Sequence, residues 1–375
     1  MDKYILLLYL GRKGAGNTYS YEMASAMLKR GHKLICVLSS DIENRNEWNN
    51  IRDKYNDSAK LYYINTYNSI AGFLCSLVFG IIKYRNILRE LKKTNISCIY
   101  IPMLSMLAYV FVWKLKKPLI TTVHDVNQHL GESSLIKFLL DSYVIRKSDR
   151  LIVLSRKFIN DLSIKYHKDK KDIYYIPHAN FSVYVPEGYK PDFERINKRI
   201  LFFGRIHKYK GLEILLKAMC IVKESMPEIK LAIAGNGKVT KEEKTLIEEL
   251  GSNVENNIRW ISDNEIYPFF ENIDFTVLPY IEASQSGVIP LSYSFGKSVI
   301  ASDIGGLSEQ VYEGCGILTE AGDHRKLAEH IINLYRNLDD ILTMNKEAYN
   351  ISNTILSWEY SSEKLSEIVN TIDRF

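Results

Sequence analysis

The sequence predicts an α/β protein in which helices cover parallel β-sheets and the sheets are divided between two domains. Apolar runs of strand length alternate with amphipathic helical stretches along the 375 residues, a pattern typical of parallel sheets. The chain is too long for one ordinary core, so two domains are expected. Three apolar runs of the second half lead into glycine or small polar residues, at residues 200–203, 230–234 and 275–279. Such turns bring backbone N–H groups close enough to bind a phosphate.

The first half begins with a βαβ unit, in which a strand at 4–10 and a strand at 34–38 flank a helix. The loop between the first strand and the helix contains Gly11, Gly14 and Gly16, but without the G-x-G-x-x-G spacing. A nicotinamide or flavin site is therefore weakly supported, and the loop allows a close approach by an acceptor or by the other domain. Further strands are predicted at 61–64, 96–101, 118–123, 150–154 and 174–176, and helices at 70–82, 103–113 and 135–147.

A histidine and an aspartate stand at the carboxyl end of one predicted strand. The strand at 118–123 leads directly into His124 and Asp125. Ligands of open parallel sheets collect at these strand ends, which favours a functional His124. A lone histidine is more often structural, and its position alone leaves both interpretations open.

A connector rich in proline and charge separates the two halves, and we place the domain boundary near Pro186. The predicted domains are 1–185 and 186–355, followed by a C-terminal helix at 356–375 that packs back on the first domain. The second half repeats the alternation, with helices predicted at 212–225, 241–250, 264–272 and 323–338, and strands at 200–203, 230–234, 258–260, 275–279 and 298–301.

The composition, with 46% hydrophobic and 25% charged residues, is that of a soluble globular protein. The formal charge of +5 is too modest for a nucleic-acid-binding protein. Five scattered cysteines without a C-x-x-C pair argue against zinc and disulfides and fit reduced thiols in the cytosol. The N-terminal apolar run is short and predicts a strand, not a signal peptide.

The apolar stretch at 70–82 is shorter than the roughly 20 residues that a membrane span needs. It is either a buried helix or a helix that lies against a bilayer. Basic residues follow it, and a second basic group follows the apolar stretch at 103–113. This bias suits an anionic membrane surface or a phosphorylated substrate, although each group alone also fits a solvated helix face.

Two cations flank the first glycine turn of the second half. Arg205 and Lys210 stand beside Gly204 and Gly211 in the stretch FFGRIHKYKG. Backbone donors together with an arginine and a lysine suit a diphosphate site.

With these motifs in view, the second half resembles the family-4 glycosyltransferases, retaining enzymes of the GT-B fold. The resemblance rests on FFGRIHKYKGLEILLKA, LAIAGNG, PYIEASQSGVIPLSYSFGKSVIASDIGGLSE and SWEYSSEKL, with TVHD, IVLS and IPH in the first half. It implies two facing Rossmann-like domains with parallel sheets and an interdomain cleft, the second domain holding a nucleotide-sugar.

The resemblance also implies roles for individual residues. Arg205 and Lys210 would bind the donor diphosphate, and His124 would hold a sugar hydroxyl and help to orient the acceptor. The implied catalytic residues are His124, Arg205, Lys210 and Glu282, and the implied donor-binding residues are Gly14, Gly204, Gly235, Ser286, Gly287, Val288, Ser292 and Glu309.

One departure concerns the ribose. The family places two glutamates eight positions apart, whereas Pro290 stands eight positions after Glu282 here. The shifted spacing leaves Ser292 near the expected second position, and ribose recognition differs from the family pattern.

We therefore expect a metal-independent, retaining hexosyl- or N-acetylhexosaminyl-transferase without a cofactor. It would move sugar from a nucleotide-diphosphate donor to an acceptor, expected to be a lipid-linked saccharide, in bacterial surface-polysaccharide synthesis (O-antigen, capsule or exopolysaccharide). Its expected place is cytoplasmic, peripheral at the anionic inner face of the cell membrane. The alternatives are a non-catalytic nucleotide-sugar-binding partner of another transferase and a nucleotide-sugar epimerase of the same fold.

Overall fold

The computed structural model describes residues 2–67, 69–124 and 135–372. The strands of this part of the chain are β1 (Tyr4–Tyr9), β2 (Leu34–Ser39), β3 (Ala59–Ile64), β4 (Ile96–Ile101), β5 (Leu119–Val123), β6 (Arg150–Val153), β7 (Ile173–Tyr175), β8 (Arg199–Phe203), β9 (Lys230–Ala234), β10 (Val254–Asn257), β11 (Phe275–Leu278), β12 (Ser298–Ser302) and β13 (Gly316–Thr319).

The helices of the same residues are α1 (Ala15–Lys29), α2 (Arg45–Lys54), α3 (Ile70–Lys83), α4 (Arg85–Lys93), α5 (Ala108–Leu115), α6 (Leu135–Lys147), α7 (Lys157–Tyr166), α8 (Leu212–Ser225), α9 (Lys241–Leu250), α10 (Asp263–Glu271), α11 (Val288–Ser294), α12 (Leu307–Gln310), α13 (His324–Arg336), α14 (Leu338–Asn353) and α15 (Trp358–Ile372). They form two compact units, Met1–Pro177 with Trp358–Phe375, and His178–Ser357.

The first unit contains a seven-stranded parallel sheet in the order β3-β2-β1-β4-β5-β6-β7. All six residues of β1 are buried, because helices cover both faces of the sheet. Right-handed crossovers put α3 to α7 on one face and α1 and α2 on the other. Helix α15 returns to this unit and packs against α1, where Lys29 Nζ lies 2.7 Å from Glu359 Oε1.

The second unit contains a six-stranded parallel sheet in the order β10-β9-β8-β11-β12-β13. The strand order reverses between β8 and β11. Ligands of open α/β sheets bind at such a reversal, beside the carboxyl ends of the strands. In the first unit the corresponding reversal lies between β1 and β4.

The units divide at His178, whereas the predicted boundary was Pro186. The connector is already bound to the second unit, because the Asn180 amide donates to the Ser352 carbonyl at 2.8 Å and the Phe181 N–H donates to Ser294 Oγ at 2.9 Å. The C-terminal helix begins at Trp358 instead of residue 356.

Two elements differ from their predicted ranges because apolar residues also fit buried loops and turns. The helix predicted at 103–113 begins at Ala108, and Leu104 packs against the core from the preceding loop. The strand predicted at 258–260 was wrong, since β10 ends at Asn257. There the chain turns away, with the Arg259 N–H bonded to the Asn257 carbonyl at 2.9 Å. Strand β13 and helix α14 were not predicted.

Candidate functional site

The loop that follows β8 is held by two glycines with positive φ, a conformation that strains any residue with a side chain. The Gly204 N–H donates to the Ala234 carbonyl at 2.9 Å, and Gly235 has a φ of +151°. A Cβ on Gly235 would lie 1.8 Å from the Gly204 carbonyl oxygen, which is far inside van der Waals contact. The loops after β8 and β9 therefore form one close-packed layer at the edge of the sheet.

Lys210 lies at the end of this loop and rests on an aromatic ring. Its Nζ is 3.7 Å from the ring centroid of Tyr280, which follows β11 and is fully buried. Burial, aided by the positive charge of Arg205 and opposed by Tyr209, lowers the pKa of Lys210 to about 8. Arg205 is itself exposed. The structure thus brings the two predicted cations together, and an anion between them would relieve their repulsion.

The loop after β11 is tied to its neighbours on both sides. The Ile281 N–H donates to the Tyr209 carbonyl at 2.8 Å, and the Gly306 N–H donates to the Ser284 carbonyl at 3.1 Å. A Cβ on Gly211 would lie 1.9 Å from the Pro279 carbonyl oxygen. The loops after β8, β11 and β12 are therefore connected, and the cation pair lies on a rim fixed by backbone contacts.

The predicted backbone donors at 286–288 are partly engaged within the protein. The Ser286 N–H donates to Gln310 Oε1 at 2.7 Å, and the Gln310 amide returns a bond to the Ser286 carbonyl at 3.0 Å. The Val288 N–H donates to Ser286 Oγ at 3.2 Å. Gly287 is half-buried at the start of α11 and packs against the Phe181 ring. Ligand contact through Ser286 or Val288 requires these bonds to be exchanged.

The remaining predicted residues of the second unit differ in their exposure. Glu282 is exposed on the loop after β11, and Glu309 is half-buried in the short helix α12. Ser292 is fully buried, and its Oγ lies 2.7 Å from Thr276 Oγ1 on β11. Ser292 fastens α11 to the sheet and is inaccessible to a ribose, so it is not among the residues that we propose for donor binding.

A cavity of about 890 Å³ lies beside the same rim. It is lined by the residues around Ile206 and Lys208, by the loop after β9 and by Ile281, and by none of the site residues predicted from sequence. Its lining includes three lysines and three glutamates: Lys208, Lys238, Lys241, Glu213, Glu242 and Glu243. Because these charges balance, the cavity shows no preference for an anionic ligand.

His124 follows β5 directly at the carboxyl edge of the first sheet. Its Nε2 lies 2.9 Å from the Pro102 carbonyl oxygen, which can only accept, so Nε2 carries the hydrogen. In the neutral ring Nδ1 is then the acceptor. Gly14 caps α1 at the same edge with φ +80°, and a Cβ added to it would have no atom within 4 Å. Asp125, which follows His124 in the sequence, lies outside the described residues.

The residues that hold these groups were not predicted from the sequence. Tyr280 supports Lys210, Gln310 bonds to Ser286, and Tyr19 contacts the His124 ring. Tyr280 and Gln310 each stand next to a residue or strand that the motifs did single out. Tyr19 gave no such signal, because a tyrosine inside a helix resembles any other core residue.

Comparison with known proteins agrees in both halves of the chain. Residues 16–179 match the family model "Glycosyltransferase Family 4", and residues 197–337 match "Glycosyl transferases group 1". The D-inositol 3-phosphate glycosyltransferase of Corynebacterium glutamicum is 24% identical over 69% of this chain and 67% of that protein. The enzyme of the same name from Paenarthrobacter aurescens is 28% identical, over 42% of this chain and 38% of its own length.

The fold is also found in solved structures. The Anabaena protein HepE, crystallised in complex with UDP and glucose, aligns with a TM-score of 0.72 over 98% of this chain and 99% of its own, at 15% identity. At this identity the likeness concerns the fold, which is the GT-B fold of two α/β units with parallel sheets. The chain belongs to the family-4 glycosyltransferases.

Proposed function

We propose that the chain transfers a sugar from a nucleotide-diphosphate sugar to an acceptor hydroxyl, with retention of anomeric configuration and without a metal. The observation that carries the proposal is the pair formed by Arg205 and Lys210 on the glycine-locked loop after β8. The pair lies beside the reversal of strand order, where the fold binds ligands. The start of α11 is not part of the proposed site, because its Ser286 and Val288 amides are engaged.

The chemistry follows from where charge develops. The bond between the anomeric carbon and the β-phosphate oxygen breaks, and the departing diphosphate gains negative charge that two fixed cations stabilise. The acceptor oxygen bonds to the anomeric carbon from the same face, and its proton passes to the departing phosphate. No carboxylate base is then required. For His124, with Nδ1 as acceptor, we propose a hydrogen bond to a sugar hydroxyl.

Lys210 suits this task because binding changes its protonation. A lysine with a pKa of about 8 is partly neutral near pH 8 in the unliganded protein. A diphosphate beside it favours the charged form and draws a proton onto Nζ. Binding of a dianionic ligand therefore changes the protonation of Lys210 near pH 8, whereas an ordinary exposed lysine is already fully charged at this pH.

A second candidate is a nucleotide-sugar-binding partner that does not transfer sugar. It is favoured by the burial of Ser292, which leaves no accessible polar side chain at the position expected for ribose binding. The two candidates predict the same donor binding and differ in product formation.

For the acceptor we propose a lipid-linked saccharide of surface-polysaccharide synthesis, reached at the inner face of the cell membrane. Charge supports a membrane surface: residues 70–147 hold 11 Lys and Arg against 4 Asp and Glu, whereas the whole chain holds 49 against 44. Such a local excess attracts anionic lipid. Among the described residues no helix has the length and apolar character to cross a bilayer.

The membrane-facing surface that we propose consists of the exposed sides of α3 and α5. Phe79 and Ile82 are 54% and 64% exposed and lie three positions apart, as neighbours on the surface of α3. Helix α5 packs against α3 and exposes Trp113, whose ring lies 4.1 Å from Lys114 Nζ. Apolar side chains surrounded by lysines are typical of a helix that lies in the membrane interface.

Donor binding is tested first, by the thermal stability of the protein with UDP-, GDP-, ADP- and CMP-linked sugars. UDP-glucose leads the panel, because HepE was crystallised with UDP and glucose. At a hundredfold excess over Kd a true donor should raise the melting temperature by roughly 5–10 °C. Arg205→Ala should abolish the shift, and Lys208→Ala, an exposed lysine of the same turn, should not.

The positive donor is then incubated with a lipid-linked saccharide or with D-inositol 3-phosphate, the substrate for which the matched relatives are named. A product whose linkage has the donor's anomeric configuration supports the retaining transferase, and the rate should survive EDTA. Donor binding without any product favours the partner protein. Vesicle flotation should require anionic lipid and be weakened by Phe79→Ser with Ile82→Ser, but not by the matched Leu338→Ser in the second unit.

A further inference from the structure

Two aromatic contacts of Tyr19 lie at the carboxyl edge of the first sheet, one to His124 and one to Trp358. Tyr19, on the second turn of α1, meets His124 edge-on, with ring centroids 4.9 Å apart and an interplanar angle of 80°. Tyr19 also meets Trp358 of α15, with ring centroids 5.2 Å apart and an interplanar angle of 73°. Tyr19 and Trp358 are 2% and 5% exposed, so neither ring has room to turn away.

The His124 ring is thus restrained from two sides. The Pro102 carbonyl fixes Nε2, and the Tyr19 ring fixes the plane of the imidazole. A hydrogen bond alone leaves rotation about its axis, whereas an additional ring contact removes it. Nδ1, the nitrogen proposed to accept from the sugar hydroxyl, then keeps one direction.

Trp358 is the first residue of α15, a helix held on α1 by several polar contacts. Besides the Lys29–Glu359 pair, Arg30 Nη2 donates to the Glu359 carbonyl at 2.9 Å, and His32 Nε2 lies 2.7 Å from Ser366 Oγ. These contacts fix the place of Trp358 along α1. The C-terminal segment therefore reaches His124 through Tyr19.

We propose that Tyr19 and Trp358 are positioning residues that hold the His124 imidazole in its working orientation. The helix α15 thereby takes part in the reaction without touching a substrate. The inference rests on the proposed role of His124 in sugar transfer, but the orientation of the ring is measurable without turnover.

The test uses the full-length protein with Tyr19→Leu and Trp358→Leu. Each should lower kcat about tenfold, the size that loss of one ring contact allows, with the donor KM changed less than about twofold. Tyr19→Phe restores the ring edge and should recover most of kcat. Glu367→Gln is the matched control, because it loosens the Lys364–Glu367 ion pair within α15 without touching a ring or the contacts to α1, and it should keep wild-type kcat.

Nitrogen-15 NMR of labelled histidine reads the ring directly, with the His124 signal identified by its loss in His124→Gln. The wild-type signals should report hydrogen on Nε2 and one ring orientation, and in both leucine variants the ring signals should shift and broaden, because the imidazole can then rotate about its bond to the Pro102 carbonyl. If Trp358→Leu leaves kcat and the His124 ring signals unchanged, the proposal is overturned. The Trp358→Leu result also decides the matter if Tyr19→Leu does not fold. Equal losses in Tyr19→Phe and Tyr19→Leu would assign the effect to the hydroxyl and refute the ring contact. An inactive wild type with a fixed His124 tautomer would instead count against the proposed transferase.

Discussion

Donor binding should weaken as the pH rises through about 8, because Lys210 must be charged to hold a diphosphate. Its pKa is lowered to about 8 in the unliganded protein, chiefly by burial. A bound diphosphate raises that pKa, so the binding energy is fully present below pH 8 and is lost as the pH rises above it. If the donor instead released a proton from the site on binding, its affinity would increase with pH.

The magnitude follows from the free pKa. If the diphosphate restores the pKa of Lys210 to that of an ordinary lysine, the Kd at pH 9 should be about ten times the Kd at pH 7, or about 1.4 kcal/mol. The Kd is measured by isothermal titration calorimetry with a nucleotide-diphosphate sugar, whose diester phosphates do not titrate in this range. Proton uptake should also appear as a dependence of the heat on the buffer.

The control is Lys210→Arg, which keeps the charge and does not titrate. Its Kd should remain nearly constant between pH 7 and pH 9, and any ionisation of the nucleotide base would appear in both proteins. Lys208→Ala should keep the wild-type pH dependence. Equal slopes in wild type and Lys210→Arg would refute the assignment of the titrating group to Lys210.

Three further predictions concern stability. Burial and the charges of Glu47 and Glu359 raise the pKa of Glu22 to about 7, above its unfolded value of 4.5. Glu22 therefore lowers the free energy of unfolding progressively as the pH rises from 4.5 to 7. Glu22→Gln should add about 1–2 kcal/mol of unfolding free energy at pH 8 and nothing at pH 4.5, measured by urea unfolding. Gly235→Ala should cost more than about 2 kcal/mol, because its Cβ meets the Gly204 carbonyl, whereas Gly322→Ala, with nothing within 4 Å, should cost about 1 kcal/mol in the same assay. Ser292→Ala should cost about 1 kcal/mol through the lost Thr276 bond and leave the donor Kd unchanged; a weaker Kd would return Ser292 to the site.

The elements predicted best from the sequence are those whose ends carry their own signals. The range of α9 is as predicted, since Thr240 and Glu243 form a capping box before an amphipathic stretch. Strand β9 also has its predicted range, because it is an apolar run that ends at a glycine. Strand β13 carries no such signal: Gly316 to Thr319 lies at the sheet edge and is only partly buried. Its pairing with β12 decides its conformation.

The residues of the candidate site likewise fall into those that a local sequence signal indicates and those that only tertiary packing reveals. Arg205 and Lys210 stood out because charge beside glycine is visible in a linear sequence. The burial of Ser292 was not visible, because it depends on the packing of α11 against Thr276, sixteen positions away. The contact between Tyr19 and Trp358 joins opposite ends of the chain, and no local pattern indicates it.

The return of α15 to the first unit also sets an order of synthesis. The second unit is one continuous stretch, His178–Ser357, and can complete its core as soon as it leaves the ribosome. The first unit cannot, because the surface of α1 that receives Trp358 stays open until α15 has been made. Tyr19, which ends 2% exposed, stays uncovered through the translation of the whole second unit. A nascent chain of this protein therefore carries an open apolar surface on α1 throughout the synthesis of the second unit, and a chaperone could bind it there.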